Sequence, residues 1–194
     1  MSAFTLVGFI EPFDLICSLK GRMGLFAGTG LRTLHLRGPR KGGDGEDYVD
    51  TRELSRWPEV RAVLQRVEAF CKQRFSTDIE FGRVYLEMLD PGTAAPTRSA
   101  RNHYGFSHLR LVLALRANPG AYLWCPPDQL VLTAGQLVLT GPALWHGAVN
   151  MGEYSRINLV VDIKTGTPGV PSPIEEPEIT DDEHMLGEQQ QTHH

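Results

Sequence analysis

The 194-residue chain has only three cysteines, Cys17, Cys71 and Cys125. They are odd in number and share no short spacing. That excludes a disulfide framework and a cysteine-built zinc site, and suits reduced thiols in the cytoplasm. Basic residues are short too: 19 Lys and Arg against 23 Asp and Glu leave a formal charge of −4. Without a basic stripe there is no electrostatic footprint for nucleic acid. Long apolar runs are missing, so no membrane span is expected. The opening "MSAFTLVGFIEPFDLICSLK" lacks a basic leader and is interrupted by acids, unlike a signal peptide.

What remains, at 41% hydrophobic residues, is an ordinary globular composition, long enough to bury one core. One domain is expected over residues 1–163, its core strands starting near residue 80. "GPRKGGDGEDYVD", Gly38 to Asp50, reads as a surface loop. Residues 164–194 are Pro-rich, then acidic, then polar. They read as a disordered tail that cannot offset its chain entropy.

"SRWPEVRAVLQRVEAFCKQRF" predicts a helix, with Pro58 in its first turn and Val60, Val63, Leu64, Val67, Phe70 and Cys71 on one stripe. Most of the rest reads as strand: "LRTLHLRG", "IEFGRVYLEML", "LRLVLAL", "AYLWC", "QLVLTAGQLVLTG" and "RINLVVDI". Short turns such as "DPGT", "ANPG" and "TAG" separate them. The pattern predicts a mainly β fold, a compact sandwich or barrel with the helix packed outside.

In such a barrel a ligand sits in the mouth, held by inward side chains. His146 stands at a strand end beside Trp145, and Arg156 follows ten residues later at the start of an apolar strand. Upstream, "RNHYGFSHLRLVLAL" carries His103, His108 and Arg110 just after the "LEMLDPGT" turn. Imidazoles with open positions beside them suit iron(II). A dicarboxylate co-substrate chelating that iron needs a guanidinium fork at its far end.

The "DPGT" turn, the histidine loop, "RLVLAL" and "AGQLVLTGPALWHGAVNMGEYSRINLVVDI" together resemble the aspartyl/asparaginyl β-hydroxylase family, over the stretch from Val84 to Ile163. Its members are iron(II)- and 2-oxoglutarate-dependent oxygenases with a double-stranded β-helix, or jelly-roll, core. The resemblance implies that His146 is an iron ligand, that Arg156 holds the far carboxylate of 2-oxoglutarate, and that Arg110 is a second cation facing it. The family's first ligand follows the turn as P-H-x-[D/G]. Here that count lands on Thr97 or Arg98, while counting back from Arg110 reaches His103, with Gly105 two residues on. His103 is then the implied partner of His146, with water in the carboxylate position, and His108 is its rival. The implied reaction uses dioxygen to hydroxylate a small molecule, such as an amino acid, a short peptide or a biosynthetic intermediate. The open position equally admits a halide and halogenation.

A reading from another class stands beside this one: a non-catalytic jelly-roll with a degenerate metal site, binding a small acid or a protein partner. Glu87 bears on both, because an inward Glu87 would repel 2-oxoglutarate unless protonated or paired with Arg110 or Arg156. Arg110 could instead pair with Glu87 across two strands. His35, between Leu34 and Leu36, reads as structural, Cys125 as an inert buried thiol, and Asp162 as a strand-end residue.

Overall fold

A computed structural model describes residues 3–40, 47–75, 79–99, 103–141 and 144–164. The expected tail over 165–194 and the middle of the glycine-rich loop lie outside the described residues. Among the described residues, no helix is long and apolar enough to cross a membrane.

The chain opens with β1 (Thr5–Phe9), α1 (Phe13–Lys20), β2 (Leu31–Pro39), β3 (Tyr48–Asp50), α2 (Arg52–Ser55) and α3 (Pro58–Phe75). Eight strands then build the barrel. They are β4 (Phe81–Leu89), β5 (Thr93–Arg98), β6 (His108–Arg116), β7 (Ala121–Cys125), β8 (Asp128–Val131), β9 (Gln136–Thr140), β10 (His146–Asn150) and β11 (Arg156–Lys164). A short helix, α4 (His103–Ser107), leads into β6. The large sheet has the order β1-β9-β6-β11-β4-β2-β3, and the small sheet β5-β10-β7-β8. Strands β4, β6, β9 and β11 thus face β5, β7, β8 and β10 as two four-stranded layers. That is the double-stranded β-helix, extended at both edges of its large sheet.

Alternation along the strands divides the large sheet into two faces. Val84, Leu86 and Met88 of β4, Leu111 and Leu113 of β6, and Ile157, Leu159 and Val161 of β11 point outward into the main core. There they meet Leu15 and Leu19 of α1 and Val60, Val63, Leu64, Val67 and Cys71 of α3, the predicted stripe. Each such aliphatic side chain contributes roughly 1.5–3 kcal/mol relative to exposure. Burial, and then the charge of Glu68, push the Cys71 thiol up to about 12, so it stays protonated and inert. Trp57, wholly buried, donates from Nε1 to Ser18 Oγ at 2.9 Å and ties α3 to α1.

The opposite residues of the same strands face the barrel interior, and there the composition changes. Val112, Val138, Cys125 and Leu132 form an apolar plug. Elsewhere the interior carries Tyr85 and Glu87 of β4, Arg110 of β6, and Arg156, Asn158 and Asp162 of β11. Cross-strand register aligns them: Asn158 lies opposite Glu87, and Asp162 opposite Arg110.

Candidate active site

Two polar groups, buried Asn150 and half-buried Asp90, hold the ends of the strands that carry the site. Asn150, fully buried at the end of β10, donates to the Leu89 and Tyr154 carbonyls at 2.8 and 3.0 Å. It accepts from Gly152 N at 3.0 Å and from Asn118 Nδ2 at 3.1 Å. This network fixes the turn from β10 to β11, and so places Arg156 relative to His146. Asp90, in the turn after β4, accepts from Gly30 N and Ser155 Oγ, both at 3.0 Å, and pairs with Arg32. Burial raises the Asp90 pKa, but the hydrogen bond from Arg32 and those from Gly30 and Ser155 more than reverse this and hold it below 3.8.

A cleft of about 240 Å³ opens into the barrel mouth. Thr33 and His35 of β2, Arg83 and Tyr85 of β4, Arg110 of β6 and His146 of β10 line it, with Ser99 just past β5. That is below the usual range for ligand pockets, roughly 300–1,000 Å³, and leaves room only for a small group. His35 is therefore a lining residue and not merely structural. Its alternation with leucines showed which face it takes, and pairing with Tyr85 puts that face inside. A larger hollow of about 520 Å³ lies outside the barrel against α1, lined by Leu19, Met23, Leu115 and Ile157. It is mostly apolar, with Lys20, Arg116 and Tyr154 also on its wall.

His146 is held by a 2.7 Å contact from Nδ1 to the Leu144 carbonyl. That contact needs the proton on Nδ1 and leaves the lone pair on Nε2. Arg110 Nη1 stands 3.3 Å from Nε2 and donates to it. The same guanidinium binds Asp162 with two donors, Nε to Oδ1 at 2.8 Å and Nη2 to Oδ2 at 3.1 Å. Tyr104 OH donates to Asp162 Oδ2 at 2.7 Å. Burial disfavours the Arg110 charge, but Asp162 outweighs burial and raises its pKa, so the cation is permanent. The Arg110 partner is thus Asp162, a fully buried acid inside the barrel, and not Glu87.

Arg156, only 2% exposed, donates from Nη2 to Glu87 Oε1 at 2.6 Å. Among the described residues its Nε and Nη1 have no partner, nor do the two amide atoms of Asn158. Burial lowers the Arg156 pKa, and Glu87 only partly opposes it. A second anion at those open donors would therefore be favourable. Thr33, at the cleft wall, lies opposite Glu87 in register, while Glu87 and Arg156 themselves do not line the cleft.

Of the other expected residues, His108 is buried, stacked on Tyr104 at 4.0 Å between ring centroids, with Nδ1 3.1 Å from the Tyr104 carbonyl. Burial lowers its pKa. It packs behind the cleft wall and does not line it. His103 opens α4, and its side chain lies outside the described residues. Arg83, on the cleft wall, lies with its guanidinium 4.2 Å from the Tyr104 ring centroid.

Residues 44–165 match the aspartyl/asparaginyl β-hydroxylase family model. The chain belongs to that family. Solved structures similar to this hydroxylase-family chain share its fold at low identity. One is an oxidoreductase of the 2OG-Fe(II) oxygenase family from Burkholderia pseudomallei, 11% identical, with a TM-score of 0.58 over 79% of this chain and 80% of that one. Another is AviO1 from Streptomyces viridochromogenes, 19% identical, with a TM-score of 0.56 over 88% and 93%. A third is the viral collagen prolyl hydroxylase of Paramecium bursaria Chlorella virus-1, in complex with 2OG, 11% identical, with a TM-score of 0.55 over 84% and 96%. No curated protein matches the sequence.

Against the family's chemistry, the described residues beside His146 Nε2 offer a cation and no second metal ligand, the His103 side chain lying outside the described residues. Among the described residues no three His, Cys, Asp or Glu side chains converge on one point. The atom that would bind iron, His146 Nε2, faces a guanidinium that Asp162 pins in place. A dication would have to sit against that fixed cation in a weakly screened interior.

Proposed function

We propose that this member of the hydroxylase family binds a small dicarboxylic acid, of the class of 2-oxoglutarate, inside the mouth of its jelly-roll. One carboxylate meets Arg110 and Arg83 on the cleft wall, and the other reaches Arg156 and Asn158 inside the barrel. The observation that carries the reading is the pair of unpartnered donors on buried Arg156, beside an unpartnered Asn158 amide. Such groups are costly to bury unless something accepts from them. The reading takes residues 1–163 as one binding domain of a cytoplasmic protein, with the tail as an appendage.

Calorimetric titration of the chelator-treated protein with 2-oxoglutarate, succinate and acetate tests this. Saturable binding of the two dicarboxylates but not of acetate is expected, and Arg156→Met should abolish it. Equal weakness of all three would sink the reading.

A second reading is an iron(II)/2-oxoglutarate dioxygenase that hydroxylates a small molecule, with His146 and His103 as ligands. Family membership and the Nδ1-anchored tautomer of His146 favour it, since metal-binding imidazoles are commonly oriented by their other nitrogen. It requires Arg110 to leave Nε2. A visible charge-transfer band on anaerobic addition of iron(II) and 2-oxoglutarate, lost in His146→Ala, would establish it over the first.

A further inference from the structure

The geometry points to Arg110 as the group that has taken the metal's place: an organic cation, oriented by His146 and clamped by Asp162, holds the near carboxylate of the acid without iron. This rests on the acid-binding reading above and assigns new roles within it. His146 becomes a positioning residue that accepts from Arg110, and not a metal ligand.

Four observations converge. Arg110 Nη1 lies 3.3 Å from His146 Nε2, within reach of the lone pair a metal would need. The guanidinium is bound by Asp162 through two parallel donors, so it cannot swing away without stranding a fully buried carboxylate. Asp162 is in turn held by Tyr104 OH at 2.7 Å, which ties the clamp to α4. Arg110 also lines the cleft, and three of its five N–H donors are engaged with described residues, which leaves two for a ligand. A guanidinium suits a carboxylate better than a free ammonium does, because it presents paired donors in one plane.

Where family members neutralise the acid with a dication, this chain supplies one positive charge from a side chain. The position after the turn where the family pattern expects histidine holds Thr97 or Arg98, and Ser99, next along, faces the cleft. None of these is an iron ligand of the expected type. On this inference the guanidinium of Arg110 stands where an iron held by His146 would need its open positions.

The test uses the full chain and two separate readouts. Cobalt(II) alone is titrated and followed by its visible d–d absorption, and 2-oxoglutarate is titrated by calorimetry with chelator present. No cobalt band at His146 is expected, while 2-oxoglutarate binds with chelator present. Arg110→Lys should weaken acid binding by about tenfold or more, since one ammonium cannot reproduce the fork. His146→Ala should weaken it about tenfold by freeing Arg110, and His146→Gln, which restores an acceptor, should recover most of that loss. Should Arg110→Lys unfold, the neutral pair Arg110→Gln with Asp162→Asn replaces it and should lose acid binding at a near-native melting temperature. A cobalt band in the wild type that disappears in His146→Ala overturns the inference. Absence of both cobalt and acid binding overturns the acid-binding reading, and with it the role of Arg110 as holder of the carboxylate.

Discussion

Arg156 and Glu87 form a buried ion pair at 2.6 Å within the barrel, and two of the three guanidinium nitrogens have no acceptor among the described residues. A self-paired arginine in a ligand position is a competition, because Glu87 and an incoming carboxylate seek the same cation. Replacing Glu87 with Gln removes the built-in competitor. Affinity for 2-oxoglutarate should rise about tenfold by calorimetry, while the unliganded protein loses about 1–3 kcal/mol in urea unfolding, recovered on adding acid.

Function and stability separate further at this pair. Arg156→Ala alone removes the cation beside buried Glu87 and should cost about 3–5 kcal/mol. The double change Arg156→Met with Glu87→Met fills the layer with apolar atoms. Its urea-unfolding free energy should equal or exceed the native value by about 1–4 kcal/mol, with no added stability from acid. A double variant less stable than Arg156→Ala would show that packing, and not charge, governs this layer.

His108 sets a pH dependence. Burial holds its folded pKa below the unfolded value of 6.5, so the folded state resists protonation. Its contribution is complete above pH 6.5 and is lost as pH falls through the lower folded value. Urea unfolding at several pH values from 7.5 to 5, in parallel with His108→Gln, should show a steeper fall for the native chain. Parallel curves would refute the assignment.

Gly82 transmits to the site without touching the acid. A Cβ there would stand 2.8 Å from His108 Cδ2 and 3.1 Å from Tyr104 OH. Gly82→Ala must displace the residue that clamps Asp162, so acid affinity should fall severalfold while the melting temperature drops only a few degrees. Calorimetry and thermal unfolding on one sample check both.

The β-rich jelly-roll and α3 were legible because their signals are strong: alternating β-branched runs, and a six-residue apolar stripe behind Pro58. Strand β5 was not, since "TAAPTR" holds a proline and two alanines and lacks strand character. It lies at the edge of the small sheet, where a missing N–H is tolerated. Helix α4 was read as part of a loop, being five residues long with no periodicity. At the site, His146 and Arg110 were both singled out, and the cleft brings them together. Their direct contact was invisible, because it depends on how β6 and β10 from different sheets face each other. Asp162 was set aside as a strand-end residue for the same reason. Only the pairing register of β6 with β11 reveals it as the acid opposite Arg110.

The two faces of the large sheet have a consequence for how such a protein can change over time. Along β4, β6 and β11, every second residue answers to the helices outside and the intervening ones to whatever fills the mouth. Mutations on the inner set can exchange an imidazole for a hydroxyl, or a vacant corner for a guanidinium, while the outer set goes on holding the barrel shut. A lineage can in that way abandon one chemistry and try another without passing through an unfolded ancestor.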